Sequence, residues 1–342
     1  MSRNGSLIAL AIGFSLGCSD SPIAPVPPVT PSTHPILFFS NRSLGEAKPF
    51  DIYKMRSDGT DSVNLTKNPA NDIDPSWSPD GKSVAFASNR NGNYDIFVMN
   101  DDGSSTRQLT NDTADDTEPR WSPDGKKLVY TSKKDGGTIS TTGYVTTDLF
   151  VINADGSNQV NLTATPRSDE NSAAWSPDGK RILYNRRDYT SDGRTAGGGL
   201  FLVNSDGTGV TRFTLAGGPF GSGAAAWSPD GTKVAVAAFY NNHPQDFSQT
   251  VIVIANADGT NVVPITPLNT TLLFNFPAWS PDGKQIIFTM TDNAESWGRV
   301  GGGTAYDVGV INTDGTGFKN LTLEPRSIFL DALTGGPQVW RQ

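Results

Sequence analysis

Carboxylates are the reactive groups this chain has in quantity: 35 Asp and Glu against two His and one Cys in 342 residues. Imidazole or thiolate metal centres need several such ligands to converge. His34, His243 and Cys18 are too few and too scattered for that. Outside the repeated turns, eight carboxylates cluster in three groups: Asp72 and Asp74; Asp112, Asp115, Asp116 and Glu118; Asp169 and Glu170. Two kinds of chemistry suit them. They could steer a Lys- or Arg-bearing segment toward the protein. Alternatively Asp72, Asp74, Asp116 and Glu118 could supply part of the six to eight oxygens that calcium takes, although no spacing here matches a calcium loop. A net charge of −8 argues against a nucleic-acid partner, which needs a basic face.

The elements that position these groups are repeated. Trp77-Ser78-Pro79-Asp80-Gly81 returns at Trp121, Trp175, Trp227 and Trp279, at spacings of 44, 54, 52 and 52 residues. Pro sets φ for a type I turn, Asp suits the next position and Gly takes the left-handed residue after it. Between these lie six Asp-Gly turns, at Asp58, Asp102, Asp155, Asp206, Asp258 and Asp314. Each follows an apolar run such as Asp95-Ile96-Phe97-Val98-Met99-Asn100, which is a strong hairpin signal. These two turn types hold eleven of the 35 acidic residues, whose role is to shape turns. Two hairpins per unit make four strands, here called a to d, and radial repetition of four-stranded sheets makes a β-propeller.

Five complete units leave fragments at both ends. Ile36 to Ser40, Asp51 to Arg56 and Val63 to Thr66 read as b, c and d strands with no a strand, and Gln338-Val339-Trp340 reads as an a strand alone. Together they make a sixth blade. The expected fold is all-β: a six-bladed propeller over residues 36–342, closed by strands from both termini, which removes open edges. Strand b carries larger apolar residues on one side (Val84 and Phe86, Leu128 and Tyr130), with smaller apolar residues often on the other, as sheets covered on both faces require.

Ahead of the repeats, residues 1–17 read as an export signal, with Arg3 before a short apolar run from Leu7 to Leu16. Gly13-Phe14-Ser15-Leu16-Gly17 matches a hydrolase nucleophile motif, but no strand precedes it, so it carries no catalytic meaning. Residues 18–35 are a Pro-rich spacer.

Two family resemblances follow from these residues. Ser15-Leu16-Gly17-Cys18 resembles the bacterial lipobox, which implies lipidation at Cys18 and, with Ser19 next, sorting to the outer membrane. Trp-Ser-Pro-Asp-Gly-Lys, then Ala85-Phe86-Ala87-Ser88-Asn89-Arg90, then Asp95 to Asn100, is similar to the repeat of the TolB-type propeller. The resemblance covers residues 36–342 only. The α/β domain that precedes the propeller in TolB has no counterpart in residues 1–35, so a role in the Tol–Pal system is not implied. What is implied is a periplasmic, monomeric, non-catalytic scaffold that binds a protein or peptide and needs no cofactor. Pectin-fragment lyases with similar repeats resemble one another in a His-lined metal site, which two histidines cannot reproduce. Propeller serine peptidases carry a hydrolase domain for which the chain leaves no room beyond the ring. An unrecognised polysaccharide-active enzyme is the remaining catalytic alternative.

Loop lengths point to one binding face. The a–b and c–d turns are short and uniform, whereas the b–c loops (133–147, 186–198, 240–249 and 291–305) differ in every blade, and irregular loops on a rigid scaffold are where function collects. On that face the expectation is an acidic arc (Asp72, Asp74, Asp112, Asp115, Asp116, Glu118, Asp169 and Glu170) beside an apolar arc (Leu272, Leu273, Phe274, Phe276, Ile328, Phe329 and Leu330), with Trp297 as a further contact residue on its own loop.

Overall fold

The structure, a computed structural model, describes residues 35–40, 49–139, 143–217, 222–239, 250–268, 270, 272–292, 307–321 and 339–340. Contacts divide the chain into residues 1–30 and 31–342, and the second unit is the one described here. Its described residues hold strands and turns and no helix. Six sheets have four strands each, and a seventh is a small hairpin of Thr138–Ile139 with Tyr144–Val145.

Every blade follows one plan. In the second, Asp72–Trp77, Ser83–Ser88, Asp95–Asn100 and Arg107–Gln108 pair antiparallel in chain order. The first blade takes its inner strand from the far end of the chain: Val339–Trp340 lies beside Ile36–Ser40, with Ile36 opposite Trp340 and Leu37 opposite Val339. Inner strands touch one another around a complete cycle, and Val339–Trp340 contacts both Asp72–Trp77 and Leu272–Trp279. One apolar cluster joins Ile36 and Phe38 of the first blade to Ile287 and Val308 of the sixth. The core thus lies between neighbouring sheets, not beneath a single one. The outermost strands are mostly two residues long and begin with exposed residues (Val63, Arg107, Val160 and Val263), and such short edges give little template for aggregation.

The two repeated turns explain their own residues. Ser78 donates its hydroxyl to Asp80 (2.7 Å), the Lys82 N–H donates to the same carboxylate, and Ser83 N–H donates to Ser78 Oγ. These bonds hold the Asp80 carboxyl below the usual carboxylate range. In the Asp-Gly turns, Asp58 accepts from the N–H and hydroxyl of Thr60. Gly103 (φ 87°) has a second reason to be glycine: a Cβ there would stand 2.4 Å from the Leu65 carbonyl oxygen of the preceding blade. The Asp that opens four of the six c strands is structural as well. Asp51, Asp95, Asp148 and Asp307 each accept an amide from the d strand of their own blade, at Asn64, Gln108, Asn161 and Asn320.

Inner strands run further toward the chain start than their polarity implies. Asp72, Asp74, Asp116 and Glu118 sit within Asp72–Trp77 and Asp116–Trp121, and Leu272, Leu273, Phe274 and Phe276 within Leu272–Trp279, not in loops. The reason is a β-bulge in five inner strands, between Ile73 and Ser76, Thr117 and Arg120, Asn171 and Ala174, Ser222 and Ala225, and Asn275 and Ala278. Asp74, Glu118, Ser172 and Phe276 occupy equivalent bulge positions with φ of 55°, 54°, 54° and 50°. Three are followed by Pro, which has no N–H to leave unpaired at a bulge.

Candidate functional site

The bulges bring the sequence-derived acidic residues together, but inside the protein. Asp74 Oδ2 accepts the Glu118 N–H of the next blade (3.3 Å), and Glu118 Oε2 accepts the Ser172 N–H of the blade after that (2.6 Å). These two carboxylates latch blades 2, 3 and 4 across the inner strands. Burial raises the Glu118 carboxyl above its ordinary range, with Arg120 opposing the shift. Asp72 is buried and ion-paired to Arg90 at 2.9 Å, whose guanidinium also lies over the Phe97 ring at 4.6 Å. Asp112 and Asp115 of the expected arc are partly exposed, and they are paired with Lys134 at 3.1 Å and with Lys133 at 2.9 Å.

Asp116 is the outlier. It is fully buried, and neither carboxylate oxygen meets a donor at hydrogen-bond geometry, although the Ser132 and Thr110 hydroxyls lie close enough to favour its ionised form. Burial, reinforced by Asp112 and Asp95, pushes its pKa up to about 7. The next interface repeats the arrangement: Glu170, buried near Asp148, is pushed up to about 7 chiefly by burial. Asp116, Glu118, Asp72 and Asp74 are therefore interior groups, and the acidic arc cannot present them to a partner as surface charge. Among the described residues no three Asp, Glu, His or Cys side chains converge as a metal site, so the calcium reading gains no support there.

The apolar arc divides in the same way. Phe274 is fully buried and meets Phe288 edge-on at 5.5 Å, so it is core. Phe276 is half-buried at its bulge. Trp297, Ile328, Phe329, Leu330 and Cys18 lie outside the described residues, as do His34 and His243. Phe274→Ala is expected to lower unfolding free energy by about 3 kcal/mol, the range for a buried aromatic truncation, in a denaturant titration. A binding anchor on the surface would leave that titration unchanged.

Two features escaped sequence reasoning. The b–c connection of blade 4 is no loose loop: Arg181–Tyr189 and Thr195–Asn204 continue as one long hairpin. Beside it stands the small hairpin of blade 3. Tyr144 and Tyr189, one from each, both donate to Asp169 Oδ2 (3.0 and 2.6 Å), their rings 6.1 Å apart. Burial and the Asp169 charge raise both phenols above their ordinary range. Tyr144 remains 44% exposed, and Arg187 is exposed on the hairpin that carries Tyr189. Tyrosines at loop tips were the available signal. At the opposite end, the Trp and Pro residues of the repeated turns ring a cavity of about 590 Å³ at the channel mouth, with Arg120 among its walls.

Comparison with known proteins agrees with this geometry. Residues 75–139 match the family described as the TolB beta propeller domain. The chain is similar to the crystal structure of TolB from Acinetobacter baumannii at 19% identity and a TM-score of 0.65, covering 90% of this chain and 66% of that one. The fold is that of a TolB-type propeller. A putative TolB from Agrobacterium tumefaciens is similar at 19% identity and a TM-score of 0.59, over 85% of this chain and 89% of that one. An oligogalacturonate lyase from Vibrio parahaemolyticus shares the architecture more distantly, at 13% identity and a TM-score of 0.50, over 84% of this chain and 72% of that one. No curated protein matches the chain in sequence. The TolB-type propeller here is thus recognised by its repeated blades.

Proposed function

We propose that this chain is a non-catalytic, monomeric scaffold of the bacterial cell envelope that takes a protein or peptide on its b–c and d–a loop face. In this reading residues 1–17 direct export, a lipid on Cys18 anchors the chain to the outer membrane, and residues 18–35 hold the propeller off the bilayer. One observation carries the binding role: the two faces of one ring differ. The a–b and c–d face repeats the same turns, whereas the other carries a separate hairpin in blade 3 and a tall one in blade 4, joined through Tyr144, Tyr189 and Asp169. Rigid, half-exposed tyrosines beside Arg187 have the composition of an interface centre. Ion pairs around them, the more exposed Asp115 with Lys133 and the partly buried Arg186 with Asp188, would tune encounter more than residence.

The test is affinity capture from envelope extracts with wild-type protein and with Tyr144→Ala plus Tyr189→Ala, alongside fractionation of Cys18→Ser. The expected result is a specific partner lost at least tenfold in the double variant, and release of Cys18→Ser to the soluble periplasm. Equal capture by both proteins would overturn the tyrosine face, and a wild type already soluble would overturn the anchor. The likeness to an oligogalacturonate lyase favours one second reading, a polysaccharide-active enzyme. That reading requires turnover of uronic-acid oligomers, and the scaffold reading requires none.

A further inference from the structure

The channel mouth on the opposite, uniform face is a built cavity. Its walls are the Trp and Pro residues of five Trp-Ser-Pro-Asp-Gly turns, and the residue before each Trp faces the same space. Four of those five positions are small: Ser76, Ala174, Ala226 and Ala278. The fifth is Arg120, and among the described lining residues it is the one charged group. Asp74 and Glu118 influence its charge but do not line the cavity, and each already accepts a backbone N–H of the neighbouring blade.

Hydrogen-bond accounting gives the ligand its sign. Arg120 Nη1 donates to the Pro119 carbonyl at 2.7 Å, which leaves Nη2 buried and unpartnered in a side chain that is 8% exposed. Trp175 and Trp279 donate their indole N–H to carbonyls of the preceding blade, Arg120 O and Ala226 O. The equivalent indoles of Trp121 and Trp227 are buried without a partner. Arg120, Trp121 and Trp227, all lining residues, therefore each carry a buried N–H without a partner behind the cavity wall. Buried donors left without acceptors are costly, so an acceptor-rich ligand that reaches them is favoured. A volume of about 590 Å³ is that of a small-molecule pocket, mostly apolar with a few placed polar groups.

We propose that this mouth binds a small amphiphilic carboxylate, its anionic end on Arg120 and the flanking indole N–H groups and its apolar body against the Trp and Pro walls. The site is on the face away from the loop hairpins and does not depend on the partner proposed there. Arginine suits a carboxylate because its planar fork matches both oxygens.

Isothermal titration with phenylacetate, 4-phenylbutyrate and N-acetylphenylalanine, each beside its neutral amide, tests this. At least one acid is expected to bind ten times or more tightly than its amide, with Arg120→Gln losing that preference and Arg120→Lys keeping part of it. Ala226→Phe, which fills the cavity from another blade and leaves Arg120 in place, is expected to abolish binding with the melting temperature retained. Three acids that fail to bind at millimolar concentration would overturn the proposal. So would amides that bind as well as their acids, or undiminished binding by Arg120→Gln or by Ala226→Phe.

Discussion

Removing residues 338–342 is expected to cost the ring about 5 kcal/mol or more, because it deletes the inner strand of the first blade. Val339–Trp340 is the partner of Ile36 and Leu37, both fully buried, and it touches the inner strands of blades 2 and 6. Without it the N–H and C=O groups on that edge of Ile36–Ser40 lose their ladder. The apolar surface newly exposed, roughly 200 Å², accounts for a loss of that size at about 25 cal/mol per Å². Unfolding in urea would shift to lower midpoint, and the open edge would favour association between copies. A truncated protein with an unchanged midpoint would contradict closure of the ring by its C-terminal strand.

The second large effect has the opposite sign. Asp116→Asn combined with Glu170→Gln is expected to stabilise the protein at pH 8, by on the order of 3 kcal/mol for each site, since one pKa unit corresponds to about 1.4 kcal/mol. Both carboxyls are pushed up to about 7 by burial, from ordinary values of 3.8 and 4.5. Between about pH 4 and pH 7 the folded state holds protons that the unfolded chain has released. Stability therefore falls as pH rises through that window, and the wild type should be more stable at pH 5 than at pH 8. An amide at each position removes the titrating group while keeping its shape, so the double variant should show little pH dependence over the same range. Denaturant titrations at the two pH values decide it. A wild type that is less stable at pH 5, or a double variant weakened at pH 8, would show that these carboxyls are satisfied as anions.

Much of the blade plan was legible in the sequence, because the turns that make it are local and recur. Ser78, Asp80 and Gly81 build one turn from bonds among residues at most five apart, and five copies reveal the rhythm. What was not legible depends on partners a blade away. Asp74 reads as a solvated loop charge until the Glu118 N–H, 44 residues on, is found donating to it, and Glu118 until Ser172, 54 residues on, does the same. Leu272 to Phe276 lack the alternation of a simple half-buried strand, with Phe274 buried, its neighbours partly buried and a bulge after Asn275, so their run resembled an apolar loop. The tall hairpin of blade 4 was hidden by Gly197, Gly198 and Gly199, which read as loop residues. Gly198 is in fact needed where a Cβ would stand 2.6 Å from the Arg186 carbonyl.

The claim that the two faces of this propeller have different roles is tested most directly by placing a photo-crosslinking amino acid at single positions in living cells. Tyr144 and Arg187 sample the loop face, and Lys126 and Lys180 sample the repeated turns. The account predicts discrete crosslinked protein species from Tyr144 and Arg187 and none of the same mass from Lys126 or Lys180. Crosslinks of equal yield from both faces, or from the repeated turns alone, would contradict it.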